Sequence, residues 1–198
     1  MRFLVLVVLG FWGAEAHAGA LREGDLLFQT SRSSQSKAIA VATKSKFTHV
    51  GIFTLREGKA YVLEAVQPVK LTPLDEWQRR GLKGKVTVRR LADTGPLTTE
   101  VLGKMREVAQ GFIGHDYDTA FGWDDDKLYC SELVYKVYDR GAGIQLGSLQ
   151  KLRDFDLKSS EVKKKLRERY GEQVPLDMEV ISPQAIFDDP RLVTIEDG

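Results

Sequence analysis

The sequence contains one cysteine, Cys130, in a setting that suits a nucleophile. The apolar residues that follow it are spaced three and four positions apart: Leu133, Val134, Val137 and Tyr138. This spacing predicts an amphipathic helix that has Cys130 in its first turn and ends at Gly141. The free amide groups and the dipole at the start of a helix favour an anion, and therefore a thiolate. A buried structural cysteine is the alternative, so a catalytic role requires a partner base.

A histidine is the usual base for a catalytic thiol, and the chain offers three. His17 falls in an N-terminal segment that we expect to be removed. His115 lies in an acidic loop, where exposure is the default, whereas His49 begins a β-rich run in which sheet geometry would hold its ring. Because a general base must be oriented, we favour His49. A hydrogen-bonded structural histidine is the alternative.

A third group is needed to orient the imidazole, and Glu64 is the candidate. It lies within a β-rich run, where alternation places it on the same side as Val62 and Val66. A carboxylate among apolar neighbours needs a partner. If this run pairs with the run that begins at His49, Glu64 approaches the imidazole and fixes its tautomer. A solvated glutamate on an edge strand is the alternative.

The same residue types can bind a metal, but their spacing does not favour it. No close pair shows the separation that zinc sites use among the candidate ligands His49, His115, Asp116, Asp118 and Cys130. We therefore expect no metal ligands, and the thiol chemistry requires no cofactor.

The N-terminus predicts export. Met1 and Arg2 precede an apolar run from Phe3 to Trp12, and the segment 16–18 is a small-x-small cleavage site. We expect a signal peptide at residues 1–18 and one mature domain at residues 19–198, exported to the periplasm as a monomer. With 29 basic and 28 acidic residues the charge is near neutral, so nothing in the composition indicates a nucleic-acid partner.

The elements that must position these residues alternate between short strands and helices, which predicts an α+β fold. Strands are expected at 26–28, 48–53, 61–66, 85–91 and 192–195, and the second and third of these should form an antiparallel hairpin. Helices are expected around 38–42, at 72–77, at 97–112, after Cys130, within 151–172 and after Ile181.

Several motifs together resemble one enzyme family. They are Gly24-Asp25-Leu26-Leu27-Phe28, Thr48-His49-Val50-Gly51-Ile52, the strand around Glu64, Tyr117-Asp118, Tyr129-Cys130-Ser131-Glu132-Leu133-Val134 and Ser182-Pro183. The chain is similar to the circularly permuted papain-like branch of the NlpC/P60 superfamily, the YiiX/YebB-like family. The order of His49 before Cys130 is the permuted order. The resemblance implies an antiparallel sheet packed against helices, one of which carries the cysteine.

The resemblance also implies roles for individual residues. Cys130 would be the nucleophile, His49 the general base and Glu64 its orienting residue, while the backbone amide of Cys130 would help to form an oxyanion hole. Tyr117 and Tyr129 would lie at the substrate. We expect Asp25 to be structural.

These observations predict a thiol hydrolase that cleaves an amide or related acyl bond. A cell-wall peptide and a lipid or N-acyl compound both remain possible substrates. An acyltransferase would share every catalytic residue, and a non-catalytic lipid or cell-wall-fragment binding protein is a further alternative. The basic segment 151–172 is expected to be a helical insertion, either a solvated surface helix or a contact with anionic lipid headgroups at a membrane surface.

Overall fold

A computed structural model gives the fold and describes residues 21–32 and 34–198. The predicted signal peptide, residues 1–18, lies outside the described residues. Among the helices of the described part, none is long and apolar enough to cross a membrane.

The fold is mixed α+β, with one main sheet. The strands of the described residues are β1 (Leu26–Gln29), β2 (His49–Arg56), β3 (Lys59–Glu64), β4 (Lys70–Pro73), β5 (Thr87–Leu91), β6 (Asp116–Tyr117), β7 (Lys127–Leu128), β8 (Gln150–Lys151), β9 (Glu179–Val180) and β10 (Leu192–Glu196). Six of them form the main sheet in the order β10-β5-β1-β2-β3-β4, and every neighbouring pair is antiparallel. The expected hairpin is therefore confirmed as β2 and β3.

The helices of the described residues are α1 (Ser34–Thr43), α2 (Leu74–Arg80), α3 (Thr99–Phe112), α4 (Cys130–Ala142), α5 (Ser160–Tyr170) and α6 (Pro183–Phe187). Both faces of the sheet are covered. On one face, Phe28, Val50 and Ile52 pack in a core with the apolar side chains of α4. On the other face, Leu27, Phe53 and Val62 pack around Trp77 of α2. Because successive residues of a strand point to opposite faces, β1 and the first five residues of β2 are buried on both faces of the sheet.

The end of α4 differs from the prediction. The helix continues to Ala142, and Gly143, with φ of 69°, provides the left-handed cap that was expected of Gly141. Gly141 instead allows α4 to approach α3, since a Cβ atom there would lie 2.6 Å from the Cα of Met105. A sequence pattern does not separate a glycine that ends a helix from one that lets two helices touch.

Other elements also differ from the prediction. The helix expected at 72–77 begins only at Leu74, because residues 70–73 pair with β3 as strand β4. The acidic loop contains the short strand β6, which pairs in parallel with β7 just before Cys130. This pairing places Tyr117 next to the start of the cysteine helix.

The basic segment 151–172 forms a small core of its own. Val162 and Leu166 on α5 are buried against Ala38 of α1 and Leu152. The apolar face of α5 is thus covered by protein. This packing makes α5 a wall beside the cysteine.

The contact at Gly141 predicts a large effect of a single methyl group. We expect Gly141→Ala to destabilise the protein by about 1–3 kcal/mol, because the added Cβ overlaps the backbone of α3. The free energy of unfolding in urea measures this. Gly103→Ala is the matched control on α3, where the nearest atom is a flexible arginine tip at 3.9 Å, and it should stabilise the helix by about 0.5–1 kcal/mol. Equal stability of Gly141→Ala and wild type would contradict the packing.

Candidate active site

The hairpin brings Glu64 to His49 as the sequence suggested. The two side chains meet with 2.6 Å between His49 Nε2 and Glu64 Oε2. Gly51 makes this possible, because a side chain there would collide with the facing strand, where its Cβ would lie 2.4 Å from Val62 Cγ1. Since Glu64 occupies Nε2, the other ring nitrogen of His49, Nδ1, is left for the thiol.

The carboxylate of Glu64 is completely buried and receives three donors. Besides His49, Thr72 donates from its hydroxyl at 2.5 Å and Arg80 donates from Nη2. Burial alone would raise the pKa of Glu64, but its bonds to His49 and Thr72 and the charge of Arg80 lower it. The carboxylate therefore stays ionised. Trp77 covers the imidazole, with ring centroids 6.0 Å apart and planes inclined by 27°.

Cys130 is the first residue of α4 and is 3% exposed. Its thiol is a hydrogen-bond partner of His49. Burial would lower the pKa of His49, yet the combined effects of Cys130 and Glu64 raise it from 6.5 to about 9. The imidazole is consequently protonated at neutral pH. The Cys130 sulfur thus lies at the amino end of a helix and next to a positively charged ring.

The two predicted substrate-binding tyrosines take different positions. The hydroxyl of Tyr117 accepts a hydrogen bond from Gln35 Nε2 at 2.9 Å and faces the space next to Cys130 and His49. Burial raises the pKa of Tyr117, so its hydroxyl is neutral. Tyr129 is only 2% exposed, and its hydroxyl accepts from the backbone amide of Ile181 at 3.0 Å. Tyr129 thus forms part of the wall and ties the start of α4 to residue 181.

Two recesses meet at Cys130 and His49, with Tyr117 between them. The first, which we call the apolar cavity, contains Cys130 and lies between α1 and α5; most of its wall is apolar and includes Ile39, Phe121, Leu157, Val162 and Leu166. The second, which we call the polar groove, contains His49; its wall includes Gln29, Ser31, Arg32, Gln67 and Arg80. A substrate bound across the pair would have chemically different halves.

Sequence reasoning missed Thr72 and Arg80, the two residues that donate to Glu64 besides His49. A general signal existed, because a buried carboxylate requires several donors. It also missed a buried ion pair on α4, in which Lys136 Nζ lies 2.7 Å from Glu132 Oε1 and also donates to the backbone oxygen of Asp124. The four-residue separation of Glu132 and Lys136 was the available signal. This pair fastens the acidic loop to the cysteine helix.

Asp25 and His115 both have hydrogen-bond partners within the protein. Asp25 is structural as expected, because it accepts from Arg90 Nε at 2.6 Å and from the amide of Arg22 at 2.7 Å. His115 remains in its loop, where Nδ1 meets the backbone oxygen of Asp125 at 2.8 Å. Within residues 21–32 and 34–198, no group of three or more His, Cys, Asp or Glu side chains has the arrangement of a metal site.

Comparison with known proteins identifies relatives of the whole domain. A family model described as the permuted papain-like amidase enzyme, YaeF/YiiX, C92 family, matches residues 20–196. YiiX of Escherichia coli strain K12, an uncharacterised protein, is 47% identical over 194 residues, which cover 98% of this chain and 94% of YiiX. The crystal structure of yiiX from Escherichia coli O157:H7, described as a metalloprotein, superposes with a TM-score of 0.85 at 48% identity, over 89% of this chain and 97% of the other.

The electrostatics of the site predict the titration of His49. We expect its ring to stay protonated through neutral pH and to titrate near pH 9. Glu64→Gln should lower this pKa, because the ring loses the negative charge of its carboxylate partner while the burial that lowers the pKa remains. NMR of the imidazole carbons measures the pKa directly. Glu57→Gln, at the exposed tip of the same hairpin, is the control and should leave it unchanged.

The same shift affects stability. The folded pKa of about 9 lies above the ordinary value of 6.5, so protonation of His49 favours the folded protein. The contribution is complete below pH 6.5 and is lost as the pH rises through about 9. If the His49 ring titrated at or below its ordinary value in the wild type, the ion-pair description would be wrong.

Proposed function

The chain belongs to the family of permuted papain-like amidases and is a cysteine hydrolase, and from this premise we propose that it cleaves an amide or related acyl bond through an acyl-enzyme on Cys130. One observation carries this proposal. His49 interacts with Cys130 and, at 2.6 Å, with the buried Glu64, so nucleophile, base and orienting group form one continuous chain. This is the arrangement that thiol catalysis requires.

The chemical steps follow from the protonation states. The Cys130 sulfur adds to the carbonyl carbon, and protonated His49 gives its proton to the leaving nitrogen as the carbon–nitrogen bond breaks. His49, now neutral, takes a proton from a water molecule that attacks the thioester, and Cys130 leaves as the thiolate. Glu64 touches neither the substrate nor the sulfur and acts by positioning the ring of His49.

Backbone amides supply the stabilisation of the oxyanion. Cys130 is the first residue of α4, and the first amides of a helix have no partner within the helix. A carbonyl oxygen under attack by Sγ therefore lies next to oriented donors. One such donor is typically worth roughly 3 to 4 kcal/mol of the barrier.

The apolar cavity favours an acyl group over a cell-wall peptide. In the acyl-enzyme the acyl carbon is bonded to Sγ, so its chain must continue into the space that Cys130 faces. That space is walled by side chains such as Ile39, Val162 and Leu166. Apolar walls are matched by hydrocarbon, whereas the polar groups of a peptidoglycan stem would lose their hydrogen bonds there. The polar groove next to His49 suits the leaving group or a water.

Transfer of the acyl group remains a second candidate, since the polar groove could equally receive an amine or alcohol acceptor. We further propose that residues 1–18 direct export to the periplasm and that the protein acts as a monomer. The proposed steps use protein groups and water alone.

The nucleophile is tested with N-acyl p-nitroanilides and the purified protein. We expect Cys130→Ala to lower kcat by about a thousandfold or more while the unfolding transition is unchanged. Cys130→Ser is the matched variant that keeps the size of the side chain, and it should be similarly slow. Intact-mass spectrometry should show an acyl adduct on the wild type and none on Cys130→Ala. Full turnover by Cys130→Ala would sink the proposal, and binding without turnover by wild type would favour a binding protein.

The acyl specificity is tested by lengthening the chain from acetyl to octanoyl. We expect kcat/KM to rise with chain length until the apolar cavity is filled, because each buried methylene contributes about 0.8 kcal/mol. A flat response together with cleavage of peptidoglycan stem peptides would transfer the substrate assignment to the cell wall. Competing amines added to the same assay separate hydrolysis from transfer by their products.

A further inference from the structure

Among the described residues, those that line the apolar cavity include two cations and no carboxylate. Both cations, Lys165 and Arg169, lie on α5, one turn apart. Lys165 forms an ion pair, because its Nζ lies 2.7 Å from Glu168 Oε2. Arg169 is half-buried and therefore requires a separate explanation.

Arg169 has a ring partner but no ion pair with any carboxylate of the described residues. Its guanidinium lies over the ring of Phe121, with 4.4 Å between the guanidinium carbon and the ring centroid. The hydroxyls of Tyr117 and Tyr170 influence its pKa more than any carboxylate does. The two carboxylates that follow them, Asp118 and Glu168, are both engaged elsewhere. Asp118 accepts from the backbone amides of Ala120 and Gly122, and Glu168 accepts from Lys165.

The position is costly for a charge. Desolvation lowers the pKa of Arg169, although a guanidinium remains protonated at any ordinary pH. Removing a cation from water without a counter-ion is unfavourable, and a ring face compensates only in part. An anion bound within the cavity would restore the missing interaction.

The guanidinium is held in place before any ligand arrives. The guanidinium lies on Phe121, which has φ of 54°. Phe121 belongs to a turn in which backbone amides donate hydrogen bonds to the carboxylate of Asp118. The hydroxyl of Tyr170, the next residue on α5, donates to the backbone oxygen of Ala120 in that turn. A planar group fixed in this way loses little freedom when it binds a carboxylate or phosphate through two hydrogen bonds.

We propose that Arg169 binds an anionic oxygen group of the substrate, so that the substrate is an anionic amphiphile with its hydrocarbon in the apolar cavity. The inference rests on the proposed function only in identifying the ligand as the substrate. Arg169 is a specificity residue in this account and takes no part in bond breaking. Carboxylate and phosphate share the required chemistry, and the experiment separates them.

The test uses protection of Cys130, the only cysteine of the chain, from alkylation by neutral iodoacetamide. Three ligands of equal chain length are compared: dodecanoate, dodecyl phosphate and dodecanol. Their apparent dissociation constants come from the slowing of alkylation, followed by intact mass, so no turnover is needed. We expect at least one anionic ligand to protect the wild type at a roughly tenfold lower concentration than dodecanol.

The variants are Arg169→Gln, Arg169→Lys and Arg167→Gln. Arg169→Gln should raise the apparent dissociation constant of the anionic ligand roughly tenfold and leave that of dodecanol unchanged. The dissociation constant of the anionic ligand for Arg169→Lys should lie between those of wild type and Arg169→Gln. Arg167 is the matched control on the same helix, with a side chain that is 77% exposed, and its variant should behave like wild type. Urea unfolding of each variant verifies the fold.

Each outcome decides between stated possibilities. Tighter binding of dodecanoate alone assigns a carboxylate, and tighter binding of dodecyl phosphate alone assigns a phosphate. Equal protection by all three ligands, or an equal loss for Arg167→Gln, overturns the anion site but leaves the acyl cavity intact. Protection by none overturns both. Loss of turnover in Cys130→Ala is a separate result, so the failure of this inference and that of the proposed function are distinguishable.

Discussion

A buried carboxylate is stable only when donors surround it, and the site of this protein is arranged around Glu64 for that reason. Its three donors come from three elements: His49 from β2, Thr72 from β4 and Arg80 from the end of α2. Removing any one of them leaves a charge inside the sheet without full compensation. The same requirement therefore fixes the hairpin register, the docking of α2 and the orientation of the imidazole.

The charge of Glu64 is transmitted to the sulfur through His49. A raised pKa keeps the imidazole protonated, and that positive charge lies beside the first residue of α4. The helix is placed by its apolar face against the sheet and by the buried pair of Glu132 and Lys136, which fastens the acidic loop to it. Stability and reactivity thus depend on the same contacts. The apolar cavity and the polar groove determine which way round a substrate with one apolar and one polar half would bind.

Sequence patterns were sufficient to predict the parts of the site that are formed by residues close together in the chain. The pairing of His49 with Glu64 follows from a hairpin, whose two strands are adjacent in sequence, and the position of Cys130 follows from helical spacing. The approach of Cys130 to His49 depends on the packing of distant elements. Residue types named this pair as nucleophile and base, but no local pattern shows how the two side chains meet. Gly141 and Arg169 show what the sequence could not predict. The contact of Gly141 with α3 and the position of Arg169 in the wall of the apolar cavity are both decided by tertiary packing.

The most direct test of the central claim is a double-mutant cycle on the reactivity of the single thiol. The rate of alkylation of Cys130 by iodoacetamide at neutral pH would be measured in wild type, His49→Ala, Glu64→Gln and the double variant. If Glu64 acts only through His49, Glu64→Gln slows alkylation in the wild type and has no further effect once His49 is absent. An equal slowing in both backgrounds would show that Glu64 influences the sulfur independently, and the continuous chain from carboxylate to thiol would be wrong.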